Sequence, residues 1–592
     1  MNFIPKSKSV FYFIPKLFRY FTLRRKWQFI FLLFLMLVSA FAEIISLGAV
    51  LPFLAMLTTP ESVLNHPFFI NIAKVLMITT AEQLVMPLTI LFVSAALFAG
   101  CIRILLIWYS IRLTSASGSE LSTDVYKRIL YQPYQTHLSL NSSEIISNIT
   151  LKVNGVVFGV VLPFFTLLNS ILLLVSILIA LFSINILLSF ISMIIFGISY
   201  GTLAWVSRRN LIKNSKRIVL EQSKSIKVLQ ESLGGIRDVI LDGTENLYSN
   251  IFHKIDVPLR RATGNNSFIG QYPRYAIETI GIILIAFLAF YLRVQEGGLG
   301  IALPILGAMV IGFQRLLPAF QQIYNSWVSI VGNNTQLLDI LLILEKPIPE
   351  VSKLSDPIKF NSCIELQNLS FKYSNNSPTI LDKINIKINK GERIGFIGST
   401  GTGKSTLLDM IMGLLIPNSG EILIDGVILK SDNIRDWQRN IAHVPQNIYL
   451  ADTSFAENIA FGVPIELINF ELVKHAAKLA QIQDFIESSI DGYGTFVGER
   501  GIQISGGQRQ RIGIARALYK YSEVLIFDEA TSALDNKTEN DVMDAIAGLN
   551  RKLTILIIAH RLTTLKYCDV IIELDKGKVI RKGTYKELVG TY

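Results

Sequence analysis

Six stretches within the first 345 residues approach or exceed the roughly 20 apolar residues that a helix needs to cross a bilayer. They run over 28–57, 85–111, 157–182, 184–206, 274–293 and 299–320. The third and fourth are separated only by Ser183-Ile184-Asn185, a helical hairpin with no room for a domain. Composition agrees, because 51% hydrophobic and 17% charged residues over 592 positions is the wrong mix for a soluble protein of this size. A disordered or purely cytosolic chain is excluded, and at roughly 150 residues per domain the length suggests three or four units. Cys101, Cys363 and Cys568 form no C-x-x-C and the six histidines are scattered, so neither a disulfide framework nor a zinc cluster is available.

The excess of 56 Lys+Arg over 45 Asp+Glu would suit nucleic acid or an anionic membrane face, and its location decides between them. Most of it lies in the first 27 residues and in 207–261, whereas the loop 58–84 carries only Lys74 and the turn 183–185 none. Basic residues that flank membrane helices mark the cytoplasmic side. Six crossings follow, with both termini inside, and nucleic acid is not a partner. The lead 1–27 interleaves Phe, Tyr and Leu with Lys16, Arg19, Arg24, Arg25 and Lys26, as an interfacial helix would, and shows no cleavage site of a signal peptide.

Two polar insertions, 112–156 and 207–273, are longer than a helix connection needs. Each reads as two long helices that leave the membrane and return, turning near Tyr134 to Glu144 and near Leu233 to Asn246, where Gly, Asn and Ser interrupt the pattern. The transmembrane domain is thus read as 28–345, followed by a proline-bearing linker over 346–359. From 360 to 592 short β-rich runs alternate with helical stretches, RIGFIG at 393, EVLIFDE at 523 and LTILIIAH at 553. That predicts a nucleotide-binding α/β domain around a largely parallel sheet.

After the strand at 393 comes GSTGTGKS, Gly398 to Ser405, and then a helix-forming TLLDMIMGLL. This is G-x-x-x-x-G-K-S in the strand-loop-helix context that the motif requires. Its residues Gly398, Ser399, Thr400, Gly401, Thr402, Gly403, Lys404, Ser405 and Thr406 cradle phosphate oxygens with backbone N–H groups and a helix N-terminus. Lys404 supplies a cation to the β and γ phosphates, and Ser405 a hydroxyl to Mg²⁺. The strand VLIFDE ends in Asp528 and Glu529, so that one carboxylate can hold Mg²⁺ while the other polarises the attacking water. In ISGGQRQR, the run Ser505, Gly506, Gly507 and Gln508 opens a helix and offers N–H groups and a hydroxyl to phosphate.

With these motifs in this order the chain resembles the ATP-binding cassette family. The resemblance implies that Tyr373 stacks on adenine, that Gln446 of HVPQN joins Ser405 and Asp528 around Mg²⁺, that Asp535 of SALD belongs to the nucleotide site, and that Glu529 and His560 are catalytic. Ile504 stands where the family signature usually begins with Leu. One cassette per chain implies a homodimer with two composite ATP sites, each completed by the partner's signature. Six spans ahead of one cassette is the exporter half-transporter arrangement, and TFVGERG, Thr495 to Gly501, looks like its coupling segment.

The membrane half offers less. Residues 60–78 can form an apolar helical stripe facing lipid. Arg103, Arg274 and Arg315 fall within or at the ends of spans, where an ion is costly unless it faces a cavity or a partner. Together with LQESLGGIRDVILDG at 229–243 this is similar to lipid-linked oligosaccharide flippases of bacterial protein glycosylation. The expectation is therefore ATP-driven flipping of a polyprenyl-pyrophosphate-linked glycan across the bacterial cytoplasmic membrane, the three arginines binding its head group. The alternatives are export of another lipid, a drug or a peptide, and, in a different class, a nucleotide-gated channel or regulator.

Overall fold

The computed structural model describes residues 10–50, 52–53, 56, 83, 85–184, 186–294, 298–348, 358–374, 377–529, 535–548, 553–559 and 564–588. The chain divides into two compact units, Met1–Gln132 with Leu140–Pro349, and Pro133–Ser139 with Glu350–Tyr592. The apolar stripe at 60–78 and His560 lie outside the described residues.

The first unit is helical: α1 Ile14–Arg19, α2 Leu23–Gly48, α3 Val85–Leu130, α4 Ser142–Ser147, α5 Leu162–Ile184, α6 Ile186–Gly234, α7 Ile236–Leu241, α8 Glu245–Val294, α9 Gly298–Gly332 and α10 Asn334–Leu344. Among the described residues, four helical stretches are long and apolar enough to cross a membrane, beginning at Leu23, Val85, Ser142 and Ser189. A fifth is added if Val310–Gly332 and Asn334–Leu344, which meet at 54°, count as one span.

Helix ends lie where local chemistry dictates. Thr22 opens α2 by accepting from the backbone N–H of Arg25, satisfying one of the donors a helix start leaves over. The first insertion turns at Pro133, which lacks an N–H and disfavours helix in the residue before it. Asn141 then caps α4 through its side chain, which accepts from Ser143 N at 3.0 Å. The second insertion turns through Gly234-Gly235 and again at Gly243, whose φ of 60° is easy for glycine alone. Both insertions therefore leave and return as long helices.

The N-terminal lead differs from a single interfacial helix. It breaks into a turn at Val10–Tyr12 and the short α1, and α2 already begins at Leu23. Phe13, Leu17 and Phe21 are buried in a cluster that includes Phe29, Leu32, Phe165 and Leu337, so this aromatic face packs on protein. Between α4 and α5 the chain winds as π-helix over Asn148–Lys152 and Val157–Val161. Here Gly155 and Gly159 let the backbone approach α9 and α10 closely: a Cβ on Gly155 would lie 1.3 Å from Gln336 Oε1, and one on Gly159 2.3 Å from Asn333 Nδ2.

The second unit holds a six-stranded sheet in the order β10-β9-β3-β8-β7-β6, formed by β3 Arg393–Ile397, β6 Ile441–Val444, β7 Val524–Asp528, β8 Thr554–Ile558, β9 Val570–Asp575 and β10 Lys578–Gly583. Every neighbouring pair is parallel except β9–β10. A four-stranded antiparallel sheet, β2-β1-β4-β5, is built from β1 Cys363–Phe371, β2 Leu381–Asn389, β4 Ser419–Ile424 and β5 Val427–Ile428. Helices α11 Lys404–Ile411, α12 Gly506–Tyr519 and α13 Asn536–Ala547 follow motif-bearing loops. In such sheets ligands collect outside the carboxyl ends of the strands.

Candidate functional site

The loop from β3 to α11 is a tight turn that side chains would obstruct. Gly398, Gly401 and Gly403 have φ of 144°, 87° and 97°. A Cβ on Gly398 would approach Leu574 O to 2.2 Å, and one on Gly403 would approach Leu381 Cδ2 to 2.7 Å. Thr402 Oγ1 donates to Ser399 O at 2.9 Å and closes the turn. Lys404, only 6% exposed, reaches back over the loop and donates to Gly398 O and Ser399 O at 2.8 and 2.9 Å. Burial holds its pKa below the ordinary lysine value, against the opposing pull of Glu529 and Asp528. A cation bent over backbone in this way is set to receive phosphate oxygens.

β7 delivers the carboxylates. Asp528 ends the strand in register with Ile558 of β8, and Ser405 Oγ donates to its Oδ1 at 3.5 Å, the outer limit of a hydrogen bond. Glu529 has a left-handed φ of 52°, a conformation that costs a residue with a side chain about 1–3 kcal/mol and that gathers at functional sites. Its N–H donates to Ile558 O, and Gln446 Nε2 donates to its Oε2 at 2.6 Å. The backbone reversal turns two consecutive carboxylates, which a continuing strand would point apart, toward the same loop.

Tyr373 follows β1, half exposed, its OH 3.1 Å from Thr406 Oγ1. Ser505 caps α12 reciprocally with Gln508: its Oγ accepts from Gln508 N and its N–H donates to Gln508 Oε1. Asp535 caps α13, accepting from Thr538 N and Oγ1, and those bonds hold its carboxyl below the usual range. The structure thus joins Lys404, Ser405, Gln446, Asp528 and Glu529 by hydrogen bonds and charge. Among the described hydrogen bonds, none links Ser505 or Gln508 to that group.

Asp409 went unread in the sequence. Burial first, and then the charge of Asp528, push its carboxyl up to about 6. The signal was there: it is the one charged residue in TLLDMIMGLL.

His443, on β6 three residues before Gln446, is half-buried with its Nε2 enclosed and unpartnered, and burial alone pulls its pKa from 6.5 down to about 4. The unfolded chain takes up this proton below about pH 6.5 and the folded chain only near 4, so stability falls as pH drops through that window, by at most about 3 kcal/mol. His443→Gln should flatten the acid side of the unfolding midpoint between pH 6.5 and 4. An unchanged acid profile would show that other groups set it.

In the membrane unit Arg103 and Arg315 converge on one carboxylate. Arg103 Nη2 donates to Glu43 Oε2 at 2.6 Å, Arg315 Nη1 donates to Glu43 Oε1, and Glu43 is 2% exposed. The three line a pocket of about 260 Å³ with Asn169, Gln314 and Gln322. Arg274 is exposed on α8 and does not line that pocket.

Family comparisons agree with both units. Residues 381–532 match the ABC transporter model, and residues 27–302 match the ABC transporter transmembrane region. The chain belongs to the ABC transporter family. It joins one transmembrane region to one ATP-binding domain, a half-transporter, and ATP and Mg²⁺ are the ligands of that domain. The site fits them. The glycine loop and Lys404 would hold the phosphates, Ser405 and Asp528 with Gln446 would hold Mg²⁺, and the metal would neutralise charge on the phosphate oxygens.

The chain is 40% identical over 324 residues to the alpha-hemolysin translocation ATP-binding protein HlyB of Escherichia coli, covering 54% of this chain and 45% of HlyB. It is 29% identical over 581 residues to the heterocyst differentiation ATP-binding protein HepA of Nostoc sp., covering 95% and 92%. The chain therefore spans about half the length of HlyB and nearly all of HepA. Its fold matches a bacterial Atm1-family ABC exporter with ATP bound, at a TM-score of 0.79 and 22% identity, over 95% of this chain and 97% of that one.

Proposed function

We propose that two copies of this chain form an exporter driven by ATP hydrolysis in the bacterial cytoplasmic membrane, with termini and ATP-binding domains in the cytoplasm. Its cargo is a polyprenyl-pyrophosphate-linked oligosaccharide moved from the inner to the outer leaflet. The observation that supports this cargo is the pairing of Arg103 and Arg315 across a single Glu43 in a small pocket. Two guanidinium groups against one carboxylate leave positive charge unspent where ions are costly, and forked donors match pyrophosphate oxygens. Asn169 Oδ1, buried and unpartnered, lines the same pocket and can accept from a protonated or hydroxyl group. Arg274, at the cytoplasmic end of the fifth span, guides the head group on entry.

The test is ATPase stimulation in proteoliposomes by a polyprenyl-pyrophosphate glycan. It should be present in the parent and fall at least about tenfold, relative to each protein's own basal rate, in the Arg103→Ala, Arg315→Ala double variant, the scale of a lost charge-assisted contact. Full stimulation of the double variant would dismiss the head-group role. The stretch shared with HlyB favours a second reading, a polypeptide cargo, and stimulation by peptide with none by lipid would select it.

A further inference from the structure

The helix that carries Arg315 runs on into a second pocket, of about 490 Å³, with a different chemistry. Gln222 of α6, Asn266 and Gln271 of α8, Asn325 of α9, and Asn333 and Gln336 where α9 gives way to α10 contribute six carboxamides to its wall. None of its lining residues is charged or aromatic. Gln222 Oε1 and Gln336 Oε1 are buried without a hydrogen-bond partner, and Gln336 is 5% exposed. Buried polar atoms are ordinarily paired, so these two amides, with Gln336 Oε1 packed against Gly155, mark a wall whose hydrogen-bonding capacity the chain itself does not fill.

The wall is also built to hold these amides. Gln336 and Asn333 occupy the space that Gly155 and Gly159 leave without a Cβ. Asn266 Oδ1 accepts from Asn214 Nδ2 at 2.8 Å and Asn325 Oδ1 from Gln321 Nε2 at 3.1 Å, which fixes both amides and leaves their amino groups as donors. Phosphate is a poor occupant because the wall has no cation, and an acyl tail is poor because the wall is mostly polar. What suits it is a neutral group that donates and accepts at closely spaced positions, as hydroxyl and acetamido groups on a sugar ring do. A peptide alternates donor and acceptor too, but its side chains need apolar or charged niches of their own, and this wall supplies few.

We infer that the pocket binds the neutral sugar portion of the cargo. The assignment rests on the proposed glycolipid reading and extends it: Asn325 lies about 15 Å along α9 from Arg315, so the two pockets would engage the sugar and the anionic head group of one extended molecule. Gln322 and Ser329 continue the spacing of Arg315 at intervals of seven, keeping a polar stripe between them.

The full chain in detergent is titrated with a soluble neutral N-acetylhexosamine tetrasaccharide, and separately with a neutral glycine-serine peptide, by ligand-observed NMR. The sugar should bind, weaken at least about tenfold in both Asn325→Leu and Gln222→Leu, and bind unchanged to Arg103→Ala, because the head-group charge is not part of this contact. The two leucine variants sit on different helices, and the unfolding midpoint of each is measured against the parent's, so one misfolded protein cannot imitate the result. Absence of sugar binding by the parent, equal binding by the variants, or peptide binding in place of sugar would each overturn the inference. Because the tetrasaccharide carries no phosphate, its result stands whether or not the arginine variants alter stimulation by lipid.

Discussion

Glu529→Gln should bind ATP like the parent and hydrolyse it at least about 100-fold more slowly, the lower range for removing a positioned general base. The geometry explains why so small a change matters. Gln446 holds one carboxylate oxygen at 2.6 Å, and the left-handed turn of the backbone aims the side chain back at the phosphate loop. An amide keeps that shape but cannot take a proton from water. ATP should then accumulate on a closed dimer, measurable as retained nucleotide after gel filtration together with single-turnover rates. Near-normal hydrolysis would remove Glu529 from the mechanism.

The second large effect concerns two chains together. Lys404→Ala removes the cation buried over the loop, and Ser505→Arg places a bulky charge at the head of α12, so each homodimer should be inactive. A linked dimer with one lesion per chain puts both lesions in one composite site and none in the other. It should recover measurable ATPase that neither parent shows. Ser505 caps α12 within its own chain, its Oγ accepting from Gln508 N. A folded linked dimer as silent as its parents would count against completion in trans by one active site.

The strands at 393, 523 and 553 could be read because they are continuous apolar runs that both faces of a parallel sheet bury. Helix turns at Pro133 and Gly234-Gly235 could be read because proline and glycine act through their own backbones. The pairing of the antiparallel sheet could not, since β1 buries its residues irregularly and its register with β2, which joins Cys363 to Asn389 and Phe371 to Leu381, is set by partners distant in sequence. The reversal at Glu529 is a tertiary imposition that no residue type announces. The carboxyl of Asp409 is likewise shifted by its burial in the fold and then by Asp528, more than a hundred residues away. Arginines in spans were conspicuous by sequence, but only folding shows that two of them share Glu43 while Arg274 stands apart.

That sharing bears on how the chain is made. Glu43 belongs to α2 and Arg103 to α3, whereas Arg315 arrives on α9, which a ribosome completes much later. Chains are synthesised from the N-terminus onward, so the acid and the first arginine are available to pair before the second arginine exists. Arg103 engages Oε2 and Arg315 engages Oε1. The early pair therefore leaves one oxygen in reserve, and α9, made about two hundred residues after Arg103, can find its seat by docking its cation onto an anion already installed.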